Sequence, residues 1–239
     1  YTAQRTGKLG ILDPKSGKRV IDAKGMTVSP GFIDLHTHTD LSALADGNVE
    51  SKVRQGVTLD VIGESSTVAP LKGAVLEEYK EESKRRGGVD VDWTTLDGYF
   101  RRLNKKGSSM NIASSVSPQQ IRKVVVGFDD RPASAAEIEK MKQLVAQAME
   151  EGAVNLSTAF TGGGYKYADE MIAMARVVAK YGGYYGTHVG GEGEQINEEL
   201  DKAIRIAEET GIPVHNYHIK VRGKNNFGKV KDVIKKIEA

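Results

Sequence analysis

Six short β-prone runs recur along this chain, and most of the sequence between them has helical pattern. That alternation leaves few architectures open. The runs are Phe32–His38, Thr58–Glu64, Asn111–Val116, Val154–Phe160, Tyr184–Val189 and Pro213–Lys220. After the third run, Ser134-Ala-Ala-Glu137 reads as a capping box that opens a helix to about Glu151. Ile138, Met141, Leu144, Val145 and Met149 form its apolar stripe, and Gly152 closes it. Ala168–Tyr181 and Glu194–Thr210 follow the same rules, and Val230, Val233, Ile234 and Ile237 mark a last helix. Strand followed by crossover helix, repeated, gives a parallel sheet.

Two α/β folds satisfy that order. A doubly wound sheet normally carries a glycine-rich phosphate loop after its first strand, where this chain has His36-Thr37-His38. A (β/α)8 TIM barrel places functional side chains at the C-terminal ends of its strands, where these histidines fall. The barrel is therefore expected, with about six βα units visible. Eight units close a barrel, in about 250 residues. Either the strand count is short or the seventh and eighth strands are missing from these 239 residues.

Residues 1–30 differ in character. Turns at Asp13-Pro-Lys-Ser-Gly17 and Ala23-Lys-Gly25 separate short β-prone runs at Leu9–Leu12, Arg19–Ile21 and Met26–Val28. A partial N-terminal β element is expected there, leaving 31–239 as an incomplete barrel domain. Residues 71–110 contain the mixed charge run Glu77–Arg86 and read as an exposed insertion after the second strand, with a helix from about Thr95 and no chemistry.

Composition excludes several classes. The 34 basic and 32 acidic residues give a net charge of +2, which makes no electrostatic case for nucleic acid or an anionic membrane. With no cysteine, neither a disulfide framework nor a thiolate metal site can form. No apolar run approaches the ~20 residues that span a bilayer. The first residues carry no signal-peptide pattern and no starting Met, so a cytoplasmic, trimmed or processed piece of a longer protein is expected.

Four of the five histidines fall at proposed strand ends: His36 and His38 on the first, His188 on the fifth and His218 on the sixth. Residues two apart on a strand face the same way, so His36 and His38 can share an ion. His215 lies three residues before His218, faces the other way and reads as structural. Neutral imidazoles suit zinc, and also manganese or iron. Two such ions would need a bridging anion, and Glu64 at the end of the second run can supply one. Asp34 should lie below the metals as packing or support, and Asp40 in the next loop could line the mouth.

Val28-Ser-Pro-Gly-Phe-Ile-Asp-Leu-His-Thr-His38 resembles the first metal-binding strand of the amidohydrolase superfamily. Glu50-Ser-Lys-Val-Arg-Gln-Gly-Val-Thr58, Gly152-Ala-Val-Asn-Leu-Ser-Thr158, Gly186-Thr-His-Val189 and His218-Ile-Lys220, with Asn226-Phe-Gly228 following, are similar to the N-acyl-D-amino-acid deacylase (D-aminoacylase) family. The likeness runs from about residue 18 to the end. It implies a hydrolase that cleaves linear amide bonds of small N-acyl amino acids, in the D series, by a metal-bound hydroxide. His36 and His38 would hold the more exposed metal, and His188 and His218 the more buried one. Ser65 aligns with the family's bridging cysteine but is a poor ligand when neutral, so Glu64 is the better bridge. Lys220 would pair with the substrate carboxylate. Gly190 stands where many relatives have Arg. The aspartate of the eighth strand, the expected acid/base, has no counterpart in this chain. The resemblance therefore also admits a catalytically incomplete metal-binding fragment. A cyclic amidase of the dihydroorotase or hydantoinase type is disfavoured, because its bridging lysine is absent from Val154–Phe160.

Overall fold

Each of the six β-prone runs from Phe32 onward forms a strand, and each strand pairs in parallel with its neighbours in chain order. The structure, a computed structural model, describes residues 21–159 and 167–239. The strands are β1 (Phe32–Thr37), β2 (Val57–Ile62), β3 (Asn111–Val116), β4 (Ala153–Thr158), β5 (Tyr184–His188) and β6 (Val214–Tyr217). They form one six-stranded sheet in the order β1-β2-β3-β4-β5-β6. Leu59 lies opposite Asn111, Asn155 opposite Tyr184, and His188 opposite Tyr217. This is a partial (β/α)8 barrel. At its C-terminal mouth the first and last strands come together, with the His36 and Tyr217 rings stacked 4.3 Å apart.

Helices cover the connections. They are α1 (Asp40–Ala45), α2 (Glu50–Val53), α3 (Gly73–Arg85), α4 (Leu96–Lys106), α5 (Pro118–Val125), α6 (Ala135–Glu150), α7 (Ala168–Lys180), α8 (Ile196–Thr210) and α9 (Val230–Glu238). The capping box at α6 forms as its sequence dictates: the Ser134 hydroxyl accepts from Glu137 N, and Glu137 accepts from Ser134 N at 2.8 Å. Gly152 follows with φ 106°, a conformation that suits glycine.

The chain divides into two compact units, 1–31 and 32–239. In the first, the described residues hold a turn at Lys24–Gly25 and no strand. Met26–Val28 therefore forms no strand, and Met26 and Val28 are exposed. The runs at Leu9–Leu12 and, for the most part, Arg19–Ile21 lie outside the described residues, as does Phe160.

Residues 71–110 do sit between β2 and β3, but they are no exposed appendage. Val75 and Tyr79 of α3, then Trp93, Leu96, Tyr99 and Leu103, are buried in the main core. The charges occupy the outer side of α3, and its apolar residues, spaced four apart, turn inward. The same segment locks the loop that follows β2. Trp93 Nε1 donates to the Val68 carbonyl at 2.9 Å. Buried Gln120 of α5 donates to the carbonyls of Thr67 (2.9 Å) and Pro70 (3.0 Å) and accepts from Thr67 N (2.9 Å).

Gln120→Leu keeps the volume and removes all three bonds, leaving buried backbone groups unpaired. It should lower stability by about 2–4 kcal/mol, measured as a shift of the urea unfolding midpoint at constant m-value.

Candidate metal centre

The strand ends bring the four expected histidines to one place. The His36 ring lies 5.4 Å from His38, 4.9 Å from His188 and 5.5 Å from His218, and His188 lies 4.3 Å from His218. Glu64 sits among them. One carboxylate oxygen bonds His36 Nε2 and lies 3.6 Å from His38 Nε2, while the other lies 2.5 Å from His188 Nε2. Among the described residues, two sets of side chains have donor atoms within 4.8 Å of one another: His36, His188 and His218, and His36, His38 and Glu64. Imidazoles with one carboxylate form a borderline-to-hard donor set that fits zinc, manganese or iron.

Local structure explains each position. Gly63 has φ 85° and Ser65 φ 59°, so the chain leaves β2 by a sharp turn that tips Glu64 over the mouth. The Glu64 side chain is 8% exposed. Burial pushes its carboxyl up, but hydrogen bonds and charge from His188 and His36 together outweigh this and hold it below the ordinary carboxylate range. Ser65 lies in neither metal-capable set. Its hydroxyl accepts from Ala159 N at 2.9 Å, and its carbonyl accepts from Ser117.

Three expectations need revision. The sixth strand ends at Tyr217, short of the expected Lys220, and His218 has φ 32°. Strand alternation therefore stops there, and the adjacent residues Tyr217 and His218 both reach His36. Asp40 does not line the mouth. It is buried as the first residue of α1, and its carboxylate accepts from Tyr79 OH (3.0 Å) and Arg86 (2.9 Å). Of the second histidine pair, His188 is largely buried, whereas His218 is exposed. Asp34 does support the site: it pairs with Lys52 at 2.5 Å and accepts from His36 N at 3.3 Å. His215 lies outside both sets, 5.4 Å from the Tyr217 ring.

Lys220 stands beside the histidines, with Nζ 3.0 Å from His218 Nδ1. It is ion-paired with Glu192, which also takes Arg222 at 2.9 Å. Tyr217, Glu192 and Arg86 are contacts that sequence reasoning did not find. Tyr217 had a signal, being an aromatic one residue before a strand-end histidine. Glu192 had only its place in a glycine-rich loop after β5.

A partial (β/α)8 barrel with histidines and a carboxylate at its C-terminal mouth defines the class of metal-dependent hydrolases. Residues 19–235 match the amidohydrolase family model, and the chain belongs to that family. It is 31% identical to D-aminoacylase of Alcaligenes xylosoxydans xylosoxydans over 98% of this chain and 49% of the relative. It is 30% identical to N-acyl-D-glutamate deacylase of the same organism, over 95% of this chain and 46% of that one. A crystal structure of D-aminoacylase superposes with a TM-score of 0.73 at 34% identity, covering 87% of this chain and 44% of the other. Structural work on D-aminoacylase describes a binuclear metal centre. The chain spans about half the length of these relatives. Among the described residues, no helix is long and apolar enough to cross a membrane.

His36 belongs to both metal-capable sets and His38 to one. Zinc competition against a chromophoric chelator should therefore show His36→Ala weakening binding most, roughly 100-fold or more, beyond the 10–100-fold typical of losing an outer-shell partner. His38→Ala should cost less, and His215→Ala should bind as the wild type does.

Proposed function

We propose that this chain is the metal-holding part of a deacylase that hydrolyses the linear amide bond of N-acyl-D-amino acids. The observation that carries the reading is the placing of Glu64, whose two oxygens face different histidines. In this reading His36 and His38 hold one divalent ion, His188 and His218 a second, and Glu64 lies between them. When bound, such an ion acidifies water and polarises an amide carbonyl. Zinc is the first choice, with manganese or iron as alternatives.

The chain's own residues orient and bind. Tyr217 stacks on His36 at an interplanar angle of 8° and fixes that ring. Its hydroxyl lies 3.1 Å from Ser157 Oγ. Lys220 receives the substrate carboxylate, which must compete with Glu192 for the ammonium. That exchange of one carboxylate for another keeps the local charge balanced and favours an anionic substrate over a neutral amide.

Proton transfer needs a further group. Among the described residues, Glu64 is the only carboxylate in either metal-capable set, and it is committed to imidazoles. The 239-residue chain alone is therefore expected to bind metal and substrate with negligible turnover. Within this reading a cyclic amidase is disfavoured, since β4 (Ala153–Thr158) carries no lysine to bridge two ions.

Calorimetry on the zinc-loaded chain tests this. N-acetyl-D-methionine should bind more tightly than its L enantiomer, its carboxamide or dihydroorotate. Lys220→Ala should weaken binding of the D acid about tenfold, near 1.4 kcal/mol, and abolish the preference over the carboxamide. Equal binding of acid and carboxamide by the wild type would remove the role given to Lys220. Amino-acid release by this chain at ordinary enzyme rates, ~1–10³ s⁻¹, would show that the proton-transfer group lies within it.

A further inference from the structure

His38 is the least supported of the four histidines by its own side chain. Its imidazole is 64% exposed, and its neighbours are the His36 ring and one Glu64 oxygen 3.6 Å away. Side-chain packing cannot set the direction of a ring so exposed, so the backbone must. That backbone is held from an unexpected quarter. Arg86 caps the C-terminal end of α3, inside the charge run that the sequence marks as solvated surface. Its Nη2 donates to the His38 carbonyl at 3.0 Å and to Asp40 Oδ1 at 2.9 Å. The guanidinium thus spans the histidine and the first turn of the helix that follows it.

The other end of this clamp is fixed. The Asp40 carboxylate also accepts from Tyr79 OH at 3.0 Å, and its backbone carbonyl accepts from Tyr99 OH at 2.9 Å. Between them, Thr39 Oγ1 donates to Asp60 at 2.7 Å. Residues 38–40 are therefore tied to α3, α4 and β2 at once. Arg86 alone of these groups bonds the metal-facing histidine itself. Its charge is largely spent on Asp40 and on Glu82, 3.3 Å away, so its effect at the centre is geometric more than electrostatic. A guanidinium reaches two acceptors in a fixed fork, which a lysine ammonium does not reproduce.

We propose that Arg86 is a positioning residue for metal binding: it sets the His38 backbone so that the imidazole can meet an ion shared with His36 and Glu64. The proposal rests on the reading of these residues as a metal centre. It moves the insertion between β2 and β3 from scaffold into the support of the site.

Cobalt(II) titration of the full chain, followed by d–d absorption, tests it. Arg86→Ala should weaken cobalt binding roughly 10–100-fold, the cost typical of losing a group that orients a ligand, and should alter the absorption envelope. Arg86→Lys, which keeps the charge beside Asp40, should fall between Arg86→Ala and the wild type, and it carries the comparison if Arg86→Ala does not fold. Arg85→Ala, one residue away, should bind as the wild type does. In a His38→Ala background, Arg86→Ala should have no further effect, because the two changes act through one ligand. Wild-type affinity in whichever Arg86 variant folds, or an undiminished loss in the His38→Ala background, would overturn the proposal alone. A wild-type chain that binds no cobalt would overturn the metal centre and this proposal with it.

Discussion

The mouth of this barrel depends on one buried carboxylate. Glu64 is almost fully removed from water, and a carboxylate so placed is costly unless positive or hydrogen-bonding groups surround it. The histidines of β1 and β5 supply that surround, from elements separated by more than a hundred residues. A carboxylate oxygen can only accept, and here its two oxygens meet ring nitrogens of His36 and His188. The electrostatic match therefore closes β1, β2 and β5 around one point and keeps the histidines gathered there.

Parallel strands make this convergence possible. Each crossover returns the chain to the same end of the sheet, so residues that end successive strands meet at one rim. That rule made the strands and most of the centre readable. β-Branched and apolar runs bounded by glycine located all six strands to within a few residues, and the Ser134/Glu137 box located α6. His36, His38 and His188 could be placed because each lies within a residue of the end of a strand whose limits the sequence marks.

What resisted reading has physical causes. β6 was expected to reach Lys220, but a ladder needs a partner for every residue, and pairing with β5 runs out at Tyr217. Past that point the chain turns, so parity arguments fail for His218 and Lys220, and Tyr217 reaches His36 alongside His218. Helix α3 was hidden by its charges. Val75 and Tyr79 give it a narrow buried stripe, and eight of the ten residues from Glu77 to Arg86 are charged. Short α1 and α2 lack any periodic stretch long enough to detect. Arg86 was legible only as a charge, since nothing in a local window says that the last turn of one helix will meet the strand end that precedes another.

Support beneath the histidines is as specific as the histidines themselves. A Cβ at residue 186 would collide with the Tyr217 hydroxyl and approach Asn155 Nδ2 at 3.0 Å. Glycine there lets the Tyr217 phenol lie against the backbone of β5, where its hydroxyl meets Ser157 and its ring meets His36. The requirement is close approach of a side chain, since Gly186 is not among the positive-φ glycines. The same tripeptide, Gly186-Thr-His188, thus performs two tasks: its histidine faces Glu64, and its glycine makes room for the aromatic ring that orients a histidine on the opposite edge of the sheet. His36 is in this way held by a stacked phenol from β6, a carboxylate from the turn after β2 and its own backbone bond to Asp34. A ring fixed on three sides keeps its Nε2 aimed at Glu64, so the geometry of the mouth is set by packing and hydrogen bonds before any ligand arrives.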